Sequence, residues 1–285
     1  MMMRNRTYFL FNAAIILVIL FGVAALVKSI VMPEEVARCM LRYNTGTSMS
    51  VADSSGAPLS SAVLQGGFGA GEWGVLDNLR IVPAGRASGN LALRIALSKA
   101  ADPIAGTGVN HKGVGFEWRS GYVEHQSSGC LRYSLRLPKH FEPGRGGVLP
   151  GLFGEAEADA VTQNDRFAVR FRWDDKGRAG LRIERRKAQS GAIERMDIAP
   201  FKLPAGRWVS LEQEITLNKP GRKDGLLRVW VDGKLVYENK ALSYRSSDAT
   251  RMQGVVGDAH YKRQSSTAIS SREQAILLTP FELSW

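Results

Sequence analysis

Three stretches of this 285-residue chain place arginines at alternate positions, the spacing at which side chains of an extended strand share one face. In residues 166–173, Arg166, Arg170 and Arg172 take one parity, and Phe167, Val169, Phe171 and Trp173 take the other. Arg132 and Arg136 alternate in the same way with Leu131, Tyr133, Leu135 and Leu137, and Arg182, Glu184 and Arg186 oppose Leu181 and Ile183. A guanidinium offers a planar fork of N–H donors that matches a carboxylate through two bonds at once. If the three strands are neighbours, their arginines line one sheet surface suited to holding an acidic polymer. A plain solvated face carrying charges is the alternative, since outward positions of antiparallel sheets are normally polar.

The elements that would hold these residues are strands. Short alternating runs at 91–97, 131–137, 167–173, 181–185, 208–217, 226–231 and 281–285, separated by turn residues, predict an antiparallel sandwich or barrel. Asp174-Asp175-Lys176-Gly177 and Asp232-Gly233-Lys234 read as hairpin loops, and Lys219-Pro220-Gly221 breaks a further strand pair. Residues 45–71, rich in Gly, Ser and Ala without clear periodicity, read as loop and short irregular strand.

Residues 8–27 are apolar apart from Asn12, long enough to cross a bilayer as a helix, and Arg4 and Arg6 precede them. The expectation is a single-pass anchor (residues 1–32) with a cytoplasmic N-terminus. One domain (33–285) would then lie in the periplasm or outside the cell; a cleaved signal peptide is the competing reading. Lys and Arg number 38 against 27 Asp and Glu, a formal charge of +11 that the two flanking arginines do not explain. An exported basic domain meets acidic polysaccharide, lipid headgroups or phosphate polymers rather than nucleic acid. Cys39 and Cys130 both fall on the exported side, where a disulfide can form; two unrelated buried thiols is the other reading.

Gly146-Gly147-Val148-Leu149-Pro150-Gly151-Leu152-Phe153-Gly154 followed by Phe167-Ala168-Val169-Arg170-Phe171-Arg172-Trp173 resembles successive motifs of polysaccharide lyase family 14. Asn218-Lys219-Pro220-Gly221, Asp224-Gly225 and Val229-Trp230-Val231-Asp232-Gly233 resemble its later hairpins, and the likeness spans residues 113–257. The resemblance implies an all-β, concanavalin A-like β-jelly-roll sandwich that acts on uronate polymers such as alginate or glucuronan by β-elimination. It also implies a lysine after the double glycine, a serine two residues before an arginine, and a Tyr-x-Tyr pair after the hairpin. Those positions hold Val148, Ala168 with Arg170, and Arg182 with Glu184. Valine transfers no proton and arginine keeps its own at ordinary pH, so only Arg170 retains its expected identity.

Substitute acids or bases would come from His125, His140, Glu184 or Tyr133, although Tyr133 shares the parity of the apolar face. Arg170 is the first expectation for a substrate carboxylate, supported by Arg132, Arg136, Arg172 and Arg182. The acidic run Glu155-Ala156-Glu157-Ala158-Asp159 reads as a solvated loop. His111, His125, His140 and His260 lack metal-ligand spacing, and neither a metal nor a cofactor is implied. The expected function is binding, with or without cleavage, of an acidic polysaccharide near the inner membrane, beside polysaccharide synthesis or export machinery. The alternative is a structural partner in an envelope complex that docks through its basic face.

Overall fold

The computed structural model describes residues 38–68, 71–85, 91–97, 113–156, 165–186, 193–201, 203–262 and 272–285. The chain divides into two units, and the second, Arg38–Trp285, carries every described element. The expected anchor at residues 8–27 lies outside the described residues, as do His111, Glu157 and Asp159. Among the described residues no helix is long and apolar enough to cross a membrane.

The described residues form sixteen strands, in chain order β1 (Gly46–Ser48), β2 (Leu79–Pro83), β3 (Leu91–Leu97), β4 (Glu117–Arg119), β5 (Ser128–Arg136), β6 (Gly147–Ala156), β7 (Arg166–Trp173) and β8 (Ala179–Arg186), then β9 (Ile193–Phe201), β10 (Trp208–Thr216), β11 (Gly225–Val231), β12 (Lys234–Leu242), β13 (Thr250–Val256), β14 (His260–Tyr261), β15 (Gln274–Leu278) and β16 (Glu282–Ser284). A nine-stranded sheet runs β12-β11-β10-β5-β15-β3-β2, with β16 also on β5 and β1 on β16. A seven-stranded sheet runs β4-β13-β6-β7-β8-β9, with β14 on β6. Every ladder between neighbours of the two sheets is antiparallel.

The alternation read in the sequence is what joins the sheets. Leu131, Tyr133 and Leu135 of β5 and Phe167, Val169, Phe171 and Trp173 of β7 are buried in one core. Tyr133 meets Phe171 edge-on, with ring centroids 6.0 Å apart, and its hydroxyl donates to the Pro150 carbonyl at 3.1 Å. Burial of each such side chain contributes about 1.5–3 kcal/mol, so the inward parity of these strands is strongly fixed. Gln213 adds a polar tie, its side-chain carbonyl accepting the Leu152 amide at 2.9 Å.

Strand β6 was not among the alternating runs because Pro150 and three glycines interrupt its pattern. The glycines permit close approach. A Cβ at Gly151 would sit 1.8 Å from the Val169 carbonyl oxygen, beside the register shift between Val148 and Gly151. Residues 45–71, expected as loop and irregular strand, contain β1 and a short helix, α1 (Ser61–Gly66), capped by the Ser60 hydroxyl. A second helix, α2 (Val75–Asn78), follows. One turn is too short to display a 3.6-residue period.

The start of the unit is tied to the outer face of the nine-stranded sheet. Cys39 and Cys130 form a disulfide, their Cα atoms 5.8 Å apart. Arg38 Nε donates to buried Glu212 at 2.6 Å, and Arg42 Nη1 donates to buried Glu214 at 3.1 Å. Closing a loop of 91 residues stabilises the fold by about 4–5 kcal/mol in the chain-entropy account.

Candidate anion-binding groove

The outer face of the seven-stranded sheet is built from cross-strand rows. Gly151, Arg170 and Arg182 stand opposite one another on β6, β7 and β8, and Phe153, Ala168 and Glu184 form the next row. Val148 pairs with Arg172 on one side and with His260 of β14 on the other. Glu155, Arg166 and Arg186 make a fourth row. Phe153, Ala168 and Val256 give this face a small apolar floor of its own.

At one end the charges cancel. Arg119 and Arg166 each approach Glu155 at 2.7 Å and Glu117 at 2.5 Å, and both guanidiniums lie over the Phe153 ring, 5.2 and 4.9 Å from its centroid. Burial alone would raise the Glu117 carboxyl, but Arg166 and Arg119 outweigh it and hold the group below the ordinary carboxylate range.

The centre is also compensated. Arg170, with only 15% of its side chain exposed, is ion-paired to Glu184 through Nη1, and its Nε lies 2.9 Å from Asp258 Oδ2 without hydrogen-bond alignment. Glu184 accepts a second bond from Arg195 at 2.9 Å. Small hollows flank this pair, one of 130 Å³ beside Arg166, Ala168 and Arg186 and one of 110 Å³ beside Trp73, Glu117 and Asp258.

The other end is different. A cavity of 510 Å³ is lined by Arg145, Arg172, Arg182 and Lys262 together with Val148, Asp174 and Asp175. Asp174 is already committed, accepting the Lys176 and Arg178 amides and the Arg178 guanidinium at 2.8–3.0 Å. Four cationic and two acidic side chains thus line one open cavity, a net positive lining that favours an anion.

Of the residues singled out in the sequence, Arg170, Arg172, Arg182 and Glu184 share this face. Arg132 and Arg136 do not: β5 belongs to the nine-stranded sheet, so their outward side chains are on the opposite side of the sandwich, and Arg132 pairs with Glu282. The single arginine-lined surface is therefore two surfaces, because strands of one pattern were dealt to different sheets. Tyr133 is wholly buried, its hydroxyl given to Pro150, and burial pushes its pKa well up, which corrects its candidacy as a proton carrier. His125 and His140 are exposed in turns before and after β5 and are absent from the linings of the groove's hollows.

Asp258 and His260 are functional-face residues that sequence reasoning missed. Their parity continues that of Val256, but the pairing of β14 with β6 is long-range and leaves no local sign. His260 Nδ1 lies 2.6 Å from the Tyr261 carbonyl oxygen, which only accepts, so Nδ1 carries the proton and Nε2 is the basic nitrogen of the neutral ring. The Trp73 ring meets the imidazole edge-on at 5.2 Å.

This two-sheet antiparallel sandwich, with cations on strands β7 and β8 of one sheet, matches the jelly-roll fold of polysaccharide lyases. The sequence profile of Polysaccharide lyase 14 matches residues 87–278, and the chain belongs to that family. Its fold is similar to that of the family 14 alginate lyase from Aplysia kurodai, at 20% identity and a TM-score of 0.64 over 83% of this chain and 97% of that one. An alginate lyase from Chlorella virus aligns at 18% identity and 0.59 over 84% and 99%. The endo-β-1,4-glucuronan lyase of the fungus Trichoderma reesei aligns at 13% and 0.53 over 72% and 86%. No curated protein sequence matches the chain.

Proposed function

We propose that the unit binds an acidic, uronate-containing polysaccharide along the outer face of the seven-stranded sheet and holds it without cutting it. The carrying observation is the open cationic cavity of Arg145, Arg172, Arg182 and Lys262, set beside positions from which the proton-transfer groups have gone. A polymer carboxylate in this cavity receives guanidinium forks from two adjacent strands. Val148, where the family resemblance implies lysine, lines the same cavity with an inert side chain, and Ala168, where it implies serine, is 4% exposed. Arg170, the one retained residue, already has two carboxylates against it.

β-Elimination needs a base for the proton beside the uronate carboxylate, an acid for the departing glycosidic oxygen, and a clamp for the charge that develops. In this reading the cationic cavity is the clamp. A cleaving version of the same site has one observation in its favour, His260 standing across from Val148 with its basic nitrogen set by the Tyr261 carbonyl. There the imidazole takes the proton, the electron pair forms a carbon–carbon double bond, and the glycosidic oxygen leaves with a proton from water.

The apolar run at residues 8–27 supports a single-pass anchor with the folded unit in the periplasm or outside, so that polymer is held near the membrane during synthesis or export. The test uses the full chain in detergent with alginate, glucuronan and non-uronate polyanions, reading equilibrium binding together with absorbance of the unsaturated uronate product. Saturable binding without product is expected. Product that vanishes in His260→Gln would replace this reading with the cleaving one, and neither signal on any polymer would favour an envelope-complex partner instead.

A further inference from the structure

The outer face of the nine-stranded sheet carries a second set of cations with a different design. Strand register places Arg136 of β5, Leu277 of β15, Arg94 of β3 and Arg80 of β2 side by side in one row, and Trp208 of β10 continues it beyond Arg136. All three arginines are exposed. At the spacing of neighbouring strands the row from Arg136 to Arg80 is about 14 Å long. Among the described residues none of the three has an ion-pair partner; Arg80 donates only to the Ser61 hydroxyl and to the Leu76 and Leu79 carbonyls.

Two arginines directly opposite each other destabilise a ladder. Arg80 and Arg94 are such a pair, and among the described residues no acid pairs with either. Apolar side chains flank the row. Trp208 and Leu277 are half-buried within it, and beside Arg80 the two short helices leave Val63 58% and Leu76 45% exposed. Arginine beside a half-buried tryptophan and exposed aliphatic groups matches the boundary of a bilayer, where guanidinium meets phosphate and the apolar groups meet the upper acyl chains.

The covalent path supplies the partner. The unit begins on this same face, at Arg38, whose partner Glu212 lies four residues along β10 from Trp208. The apolar run ends at Val27, and the ten intervening residues reach at most about 35 Å. We propose that the row Arg80, Arg94 and Arg136 docks the nine-stranded sheet on anionic phospholipid headgroups, turning the polymer groove of the opposite sheet away from the membrane. The proposal goes beyond polysaccharide binding and uses a different surface; it shares with that reading only the anchor.

The test places the full chain in lipid nanodiscs containing brominated acyl chains, with either phosphatidylglycerol or phosphatidylcholine headgroups. Quenching at Trp208 is taken as the signal lost in Trp208→Phe. Quenching is expected in the anionic discs and not in the neutral ones, and about 0.5 M salt should weaken it. Arg80→Gln/Arg94→Gln/Arg136→Gln should lower the docked-to-free ratio about 100-fold, at about fivefold for each arginine near an anionic surface. Oligouronate binding by the triple variant should be unchanged, which shows that its fold is intact and separates this surface from the groove. Equal quenching in both lipids, or undiminished quenching in the triple variant, would overturn the proposal. Arg94→Gln alone should raise the melting temperature in detergent, since it relieves the pair with Arg80 and leaves the hydrogen bonds of Arg80 in place; a fall would mean that the row serves the fold rather than a lipid.

Discussion

The two ends of the groove set their cations differently, two guanidiniums in a closed ion-pair cluster at one and four cations around an open cavity at the other. At the Phe153 end, Arg119 and Arg166 are matched one for one by Glu117 and Glu155, with every guanidinium bonded and stacked on an aromatic ring. At the Val148 end, Arg145, Arg172, Arg182 and Lys262 line an open cavity together with two acids, one of which, Asp174, is engaged by its own turn. The lesson is that an open volume with a net positive lining, more than the count of arginines, marks where a sheet surface can take an external anion. A guanidinium already bonded to two carboxylates must break those bonds before it binds a third.

The largest effect that this contrast predicts is on polymer affinity. Arg172→Gln/Arg182→Gln removes two charged donors from the cavity, each worth about 1.5–3 kcal/mol when bonded to an ionised partner. Oligouronate affinity measured calorimetrically should fall by at least about 100-fold. Arg119→Gln, at the compensated end, should change it by less than about threefold, within the range of a distant and partly exposed charge. Equal losses at the two ends would erase the distinction and mean that polymer lies along the whole face.

A smaller effect, of opposite sign, comes from the centre. Glu184 occupies a position where the family resemblance implies tyrosine, and it answers Arg170 and Arg195 together. Glu184→Gln keeps the shape and removes the charge, so Arg170 should turn toward polymer and affinity should rise about fivefold, a gain that added salt reduces. If Glu184 instead holds Arg170 in the orientation that polymer needs, affinity falls. The same calorimetric titration separates the two, and a fall would make the central ion pair part of the binding surface.

Much of this face was readable from residue order, and the unreadable part has a physical pattern. Alternation gave Arg170, Arg172, Arg182 and Glu184 a common face because β7 and β8 are a hairpin joined by Asp174-Asp175-Lys176-Gly177, and local parity survives a short turn. The same parity at Arg132 and Arg136 misled about the company they keep, since which sheet a strand joins is set by long-range pairing. Strand β6 hid behind glycines that the close approach of β7 and β13 requires, as at Gly154, where a Cβ would stand 2.3 Å from the Arg251 carbonyl oxygen. His260 comes opposite Val148 only because β14 returns to β6 across more than a hundred residues.

The smallest predicted effect tests whether the quartet at the Phe153 end is structural. Glu117 has its folded-state pKa depressed: burial pushes it up, but the guanidiniums of Arg166 and Arg119 win. A carboxyl depressed in the folded state contributes stability that is fully present above its unfolded value, about 4.3, and is lost as pH falls through the lower folded value. Wild-type protein should therefore lose denaturant resistance below about pH 4.3 more steeply than Glu117→Gln, with the two curves converging in acid. Parallel curves would show that the Glu117 pairs contribute nothing to the fold, as many exposed ion pairs do. The quartet would then be a reserve of loosely held cations, and the groove would have two open ends instead of one.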